Sequence, residues 1–106
     1  MEYITDEHGN KRSYKDGNLH SYNDNPAIIF KWGTLYWYED NYVHRDNDMP
    51  AIISNNRDQY WYRYNKLHRD NDMPAIIYAD GNAEWWVNGK FIKLCNKYFT
   101  RIKRAN

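Results

Sequence analysis

The chain has 106 residues, which suggests one domain with a modest core. Its mean hydropathy is low, at −1.09, but 18% of its residues are aromatic, including 11 Tyr and 5 Trp, which argues against a disordered chain. No apolar run approaches the roughly 18 residues of a membrane-spanning helix. The single cysteine, Cys95, excludes an internal disulfide and favours a reducing compartment. The start of the chain is acidic, unlike a signal peptide, so we expect an intracellular protein that is not secreted.

Charge divides the chain into two parts. Residues 1–89 contain nine Lys and Arg and all 14 acidic residues, a net charge of −5. Residues 90–106 contain six Lys and Arg and no acidic residue. An acidic body with a basic tail indicates either a tail that docks on the body or a tail that meets an anionic partner.

A 24-residue repeat occupies most of the chain. The segment Val43–Ile53 (VHRDNDMPAII) returns 24 residues later as Leu67–Ile77 (LHRDNDMPAII) with one change, and a weaker copy begins at Leu19. We therefore predict a single repeat domain over residues 1–106, with a partial first repeat at 1–18 and three 24-residue repeats at 19–90. Residues 91–106 would form a separate cap.

Each repeat is predicted to contain two strands. Pro-Ala-Ile-Ile opens a short strand, with proline at the first position, where a missing N–H does least harm. A turn and an aromatic strand follow, and a second turn holds Gly17, Asn41, Asn65 or Gly89, residue types that tolerate positive φ. In the loop to the next unit, Asp and Asn are expected to form Asx-turns or to pair with Arg45 or Arg69. The predicted fold class is all-β, an elongated antiparallel meander of stacked two-stranded units.

The sequence of the tail predicts a helix rather than further strands. Apolar residues from Phe91 to Ile102, including Leu94 and Cys95, recur at helical spacing, and the basic residues lie mostly off that face. We expect one amphipathic C-terminal helix that caps the last unit, buries Cys95 and shields the sheet edge.

The units resemble MORN-type repeats, in particular the variants with "LHR…PA" wording found in large DNA viruses and phages. The matching residues are Trp61, Trp85, Asn88-Gly89-Lys90, Leu67-His68-Arg69, Pro74-Ala75 and Asp80-Gly81. The family often has Gly before Pro-Ala, where this chain has Asn25, Met49 and Met73. The resemblance implies a sheet of stacked hairpins, a binding or scaffolding role and no catalytic residues. If the protein is viral, it would reside in host cytoplasm or in the virion.

The repeat argues against catalysis at His44, Arg45 and Asp46. Equivalent histidines of neighbouring units would lie roughly 9.6 Å apart, too far to share a metal ion whose nitrogen ligands sit about 2 Å away. The Asp-Asn-Asp loops lack the Gly and the distal Glu of a calcium-binding EF-hand. We predict no enzyme activity, no cofactor and no small-molecule substrate.

Two groups of residues are candidates for partner binding. Neighbours along a strand point to opposite faces, so two adjacent aromatic columns either both serve packing or leave one column exposed to a protein partner or a second copy. An alternative is an anionic ligand (a membrane surface, a nucleotide or a nucleic acid) bound by the basic helix and a row of arginines. The candidate residues are Trp37, Tyr38, Trp61, Tyr62, Trp85, Trp86, Arg45, Arg69, Lys97, Arg101 and Arg104.

Overall fold

The computed structural model describes residues 2–98, which form 15 short strands in an elongated body of 44 × 26 × 22 Å. The strands are β1 (Ile4–Thr5), β2 (Lys11–Arg12), β3 (Tyr14–Lys15), β4 (Asn18–Leu19), β5 (Ile28–Ile29), β6 (Leu35–Tyr36), β7 (Tyr38–Glu39), β8 (Tyr42–Val43), β9 (Ile52–Ile53), β10 (Gln59–Tyr60), β11 (Tyr62–Arg63), β12 (Lys66–Leu67), β13 (Ile76–Ile77), β14 (Ala83–Val87) and β15 (Lys90–Cys95).

Nine of these strands form one antiparallel sheet, in the order β1-β2-β5-β6-β9-β10-β13-β14-β15. Within a unit Ile28 pairs with Tyr36, and 24 residues later Ile52 pairs with Tyr60. Between units Tyr36 pairs with Ile52, and Tyr60 with Ile76. The register therefore repeats with the sequence, and the all-β antiparallel meander is confirmed.

The aromatic strand is divided in two at Trp37 and at Trp61, so these units have four short strands rather than the predicted two, whereas Ala83–Val87 continues through Trp85. The backbone N–H of Trp37 donates to the carbonyl of Ala51 at 2.8 Å, and its own carbonyl accepts from the N–H of His44 at 3.1 Å. Tyr36 therefore belongs to the main sheet, while Tyr38 begins a separate hairpin. The three separate hairpins are β3–β4, β7–β8 and β11–β12.

Turns at the hairpin tips explain the Gly and Asn column. Two successive residues have positive φ at each tip, which defines the type I′ turn that matches the twist of paired strands. The pairs are Asp16-Gly17, Asp40-Asn41, Tyr64-Asn65 and Asn88-Gly89. The expectation that Asn41 and Asn65 substitute for glycine in this conformation is confirmed.

The charged loops also contain left-handed turns. Asn47 and Asp48 have φ of 64° and 57°, and the N–H of Met49 donates to the carbonyl of Asp46 at 3.4 Å. The next loop repeats this pattern, with positive φ at Asn71 and Asp72. The predicted Asx-turns are not formed here, because the loop folds as a backbone turn and the Asp46 carboxylate faces a histidine.

The core is thin and follows the repeat. Three alanines after the prolines are fully buried, and three tryptophans are between 4% and 7% exposed. These residues are Ala27, Ala51, Ala75, Trp37, Trp61 and Trp85. Small and large side chains thus alternate along one column, which lets successive units pack closely.

The C-terminal end of the sheet differs from the prediction. Residues Lys90–Cys95 form strand β15, paired with β14 from Val87↔Lys90 to Ala83↔Cys95, so the predicted helix does not begin at Phe91. Cys95 is half-buried rather than buried. The edge of β14 offers unpaired backbone groups, and pairing with them outweighs the helical spacing of the apolar residues. The rest of the predicted helix, from residue 99, lies outside the described residues. Within residues 2–98 no helix is long and apolar enough to cross a membrane.

Candidate functional site

An arginine, an aspartate and a tryptophan form a clamp between consecutive units. Nε and Nη2 of Arg45 donate to the two carboxylate oxygens of Asp24 at 2.9 and 3.0 Å. The guanidinium carbon lies 3.8 Å from the ring centroid of Trp37, and Nη1 donates to the carbonyl of Pro50 at 3.1 Å. The indole N–H of Trp37 donates to the carbonyl of Asp24 at 3.0 Å. The N–H groups of one guanidinium thus bind oxygen atoms, while its flat face lies against the indole ring.

The clamp recurs one unit later. Arg69 donates to Asp48 at 2.9 and 3.2 Å and to the carbonyl of Pro74 at 3.1 Å, and it lies 3.9 Å from the ring centroid of Trp61. The Arg45 and Arg69 side chains are only 9% and 10% exposed. The predicted pairing of arginine with loop acids is present, but it joins neighbouring units. Both arginines of the predicted ligand-binding row are therefore engaged inside unit interfaces.

Arginine and histidine contacts lower the pKa of carboxyl groups along the chain. The hydrogen bond from Arg45 holds the pKa of Asp24 below its usual range. Asp70 has a lowered pKa because of the hydrogen bond with His68 and then that with Arg63. These carboxylates stay ionised at neutral pH, which maintains the ion pairs.

The column of histidines connects each unit to the next. Nε2 of His44 and of His68 lies 2.7 Å from a carboxylate oxygen of Asp46 and of Asp70. Nδ1 of His68 accepts the backbone N–H of Asn88 at 3.0 Å, so the proton of the neutral ring is assigned to Nε2. Both ring nitrogens are used in hydrogen bonds. The histidines therefore connect loop to hairpin, the structural role that the repeat favoured.

Asparagines at the hairpin tips form a second connection between units. Oδ1 of Asn41 accepts the backbone N–H of Leu19 at 2.7 Å, and Oδ1 of Asn65 accepts that of Val43 at 2.7 Å. The next member of the column is Gly89, which has no side chain to continue the series. Sequence reasoning missed this contact, although the recurrence of Asn in the column was its signal.

The two aromatic columns have different environments. Trp37, Trp61 and Trp85 are buried, so they belong to the core rather than to an open surface. The neighbouring column of Tyr38, Tyr62 and Trp86 is half-buried. Burial raises the pKa of both tyrosine hydroxyls in that second column. Of the predicted aromatic candidates, only this second column is accessible to a partner.

The largest exposed apolar side chains at one end of the molecule lie on β15. Phe91, Ile92 and Leu94 are 53%, 55% and 54% exposed. β15 is the last strand of the nine-stranded sheet, with a neighbour on one side only. Its lysines, Lys90 and Lys93, are also exposed. Sequence reasoning assigned Phe91 and Leu94 to the inner face of a helix and so missed an exposed strand.

The basic candidates of the tail are only partly described. The backbone N–H of Lys97 donates to Oδ1 of Asn82 at 3.0 Å, and its ammonium donates to the carbonyl of Asp80 at 3.1 Å. Lys97 is thus attached to the turn of the last unit. Arg101 and Arg104 lie outside the described residues.

No family model, curated protein or solved structure matches this chain.

Proposed function

We propose that this chain is a non-enzymatic, MORN-like repeat module that binds another protein by strand addition at β15. The observation that carries the proposal is a six-residue edge strand whose Phe91, Ile92 and Leu94 side chains are each more than half exposed. An edge strand offers backbone hydrogen bonds to an extended segment, and exposed apolar side chains add contact area. A scaffolding role in a viral structural or accessory protein fits the resemblance of the repeats.

The order of the sheet supports this choice of surface. The outer strand of each unit pairs with the first strand of the next unit: β6 pairs with β9, and β10 pairs with β13. β15 covers β14 in the same way, and no described strand covers β15. The occupant we propose is an extended segment of a partner protein with apolar residues facing Phe91 and Leu94. Acidic residues of that segment, placed near Lys90 and Lys93, would complement the positive charge of β15.

Binding of an anionic ligand remains the alternative, but the arginine row does not favour it. Arg45 and Arg69 are held by Asp24 and Asp48 and have little exposed surface. In the described part of the basic C-terminal segment, the exposed lysines of β15 still support that alternative. It would show itself as binding that weakens steeply with salt.

A pair of variants on opposite edges of the sheet tests the proposal. Leu94→Lys places a charge on β15, and Ile4→Lys makes the same change on β1, where the side chain is 64% exposed. Binding partners would first be captured from the source with the wild-type chain and then purified. Calorimetry with each purified partner should show at least about tenfold weaker binding for Leu94→Lys, a loss of about 1.4 kcal/mol, and wild-type binding for Ile4→Lys.

Circular dichroism spectra of both variants should match the wild type, because both side chains are on the surface. Equal affinities of Leu94→Lys and Ile4→Lys would contradict strand addition at β15. An affinity that Leu94→Lys leaves unchanged, but that falls steeply between about 50 and 200 mM salt, would support the anionic-ligand alternative instead.

A further inference from the structure

The last unit contains a clamp without its arginine. The indole N–H of Trp85 donates to the backbone carbonyl of Asp72 at 3.0 Å, the same bond and distance as in the two complete clamps. Asn71 and Asp72 have φ of 62° and 56°, which repeats the left-handed turn of the earlier loop. Within residues 2–98 the Asp72 carboxylate makes no hydrogen bond or ion pair. The acceptor half of the clamp is therefore built, and its donor is missing.

Lys93 stands at the arginine position, 24 residues after Arg69. Its ammonium lies 4.7 Å from the ring centroid of Trp85 and forms no ion pair with Asp72. Lysine carries a compact charge on a flexible stem, whereas arginine has a planar fork that binds a carboxylate with two hydrogen bonds while its face covers a ring. Lys93 thus replaces the ring contact of the clamp and leaves the carboxylate contact open.

A cleft of about 300 Å³ adjoins these residues. Asp72 and Trp85 are part of its lining, and Met73, Val87 and Ile92 contribute apolar side chains. The aliphatic stem of an arginine can lie along such apolar groups while its guanidinium reaches a carboxylate. The cleft therefore combines the contacts that both parts of an arginine side chain require.

We infer that this cleft binds an arginine side chain of the partner protein. The guanidinium forms two hydrogen bonds to the Asp72 carboxylate and lies near the indole of Trp85, as Arg45 does with Asp24 and Trp37. Binding displaces the exposed ammonium of Lys93 from the ring, so a single arginine binds weakly. The inference rests on the proposed function in one respect, since it assigns one residue to the partner that β15 binds.

Nuclear magnetic resonance of the full chain tests the inference with a simple probe, N-acetyl-arginine amide. The indole N–H signal of Trp85 should shift with saturation in the millimolar range, while those of Trp37 and Trp61, whose clamps are full, stay in place. N-acetyl-lysine amide at the same concentration should shift the Trp85 signal severalfold less. No shift of the Trp85 signal, or equal shifts with both probes, would overturn the inference.

Three variants show whether the contact is the one inferred. Asp72→Asn should abolish the shift, while Asp16→Asn, which removes the same charge from a hairpin tip, should leave it intact. Lys93→Arg should also reduce it, because its own guanidinium competes for Asp72. A shift that survives Asp72→Asn with an unchanged circular dichroism spectrum would contradict the inference.

The arginines of the tail provide the rival occupant. The Arg101→Gln/Arg104→Gln double variant tests this occupant. If its Trp85 signal differs from that of the wild type before any probe is added, and if the probe binds only to the double variant, the chain's own tail fills the cleft and the inference fails. Failure of the probe experiments leaves strand addition intact if Leu94→Lys still binds its partner more weakly than Ile4→Lys does. Equal affinities of those two variants, with a Trp85 shift that depends on Asp72, would reject strand addition and keep the arginine cleft.

Discussion

The guanidinium of Arg69 lies over the indole ring of Trp61, with 3.9 Å between its central carbon and the ring centroid. The same guanidinium binds the carboxylate of Asp48, 21 residues earlier, in the preceding unit. One side chain therefore joins the loop of one unit to the core tryptophan and the loop of another. Because the equivalent contact recurs at Arg45, the stacking of units depends on arginine as well as on apolar burial.

Arg69→Lys should destabilise the chain by about 1–2 kcal/mol, because lysine can neither form both hydrogen bonds to Asp48 nor lie flat on Trp61. Arg57→Lys is the matched control, since Arg57 is exposed and makes no side-chain hydrogen bond or ion pair within residues 2–98. Urea denaturation followed by tryptophan fluorescence measures both variants. Equal midpoints for the two would show that the clamp contributes nothing beyond a positive charge.

The ion pair of Asp24 should make stability depend on pH. Arg45 lowers the pKa of Asp24 in the folded chain, while an unfolded Asp titrates near about 3.9. The folded chain binds fewer protons at this carboxyl, so the stabilisation is present above about pH 4 and is lost as the pH falls through the lowered folded pKa. Asp24→Asn should therefore be less stable than the wild type at pH 7, and the difference should shrink below about pH 4.

Denaturation series between about pH 7 and pH 2 measure that difference. Asp16→Asn is the control, because the Asp16 carboxylate has no hydrogen bond or ion pair within residues 2–98. Its stability relative to the wild type should change little across the series. A difference between wild type and Asp24→Asn that stays constant down to pH 2 would contradict the assigned role of the Arg45 pair.

The repeat predicted the turns at the hairpin tips, and it failed at the bend of the aromatic strand and where contacts are made between units. Glycine or asparagine at one column predicted positive φ at Asn41, because backbone strain is a local property. Alternation of side chains could not predict the bend at Trp37, since it does not say which strand pairs with which. The pairing of Arg45 with an acid of the preceding unit was equally hidden, because residues 21 apart meet only after two units stack.

The tail shows the limit of periodicity more directly. Phe91, Leu94 and Cys95 have spacings that fit one helix face, and a short apolar run of this kind also suits a strand. The deciding factor was the open edge of β14, whose backbone groups are a property of the assembled sheet. A sequence pattern read along the chain does not include that edge, so it predicted a helix for residues 91–95, where the structure has a strand.

Arg57 provides a test of backbone strain. It has a φ of 77° in a turn where the other units have glycine, at Gly9, Gly33 and Gly81. A non-glycine residue in this region costs about 1–2 kcal/mol, partly offset by the greater freedom of glycine in the unfolded chain. Arg57→Gly should therefore raise the free energy of unfolding by about 0.5–1 kcal/mol. Arg57→Ala retains a Cβ atom and should give no such gain; an equal gain would attribute the effect to loss of the charged side chain.

Gly89 is the position where the asparagine series between hairpin tips stops. Its backbone N–H donates to the carbonyl of Leu67 at 2.8 Å, as Asn65 does to Val43 at 2.9 Å, so an added side chain would start from the same backbone contact. A Cβ atom at Gly89 would meet Lys66 carbons at 3.7 Å, which is ordinary contact, and asparagine tolerates its φ of 80° better than most residues. The new amide oxygen can accept the backbone N–H of Leu67.

Gly89→Asn should therefore stabilise the chain by about 0.5–1.5 kcal/mol, the usual net contribution of one hydrogen bond. Gly17→Asn is the matched control, because Gly17 has a similar φ of 82° and nothing within 4 Å of an added Cβ. Gly17→Asn therefore measures the effect of asparagine at a type I′ turn where its side chain has no neighbouring hairpin to contact. Thermal and urea denaturation of both variants measure the difference, which isolates the contact between units. If both changes shift the midpoint equally, the contact adds nothing, and stacking of the last two hairpins depends on backbone bonds alone.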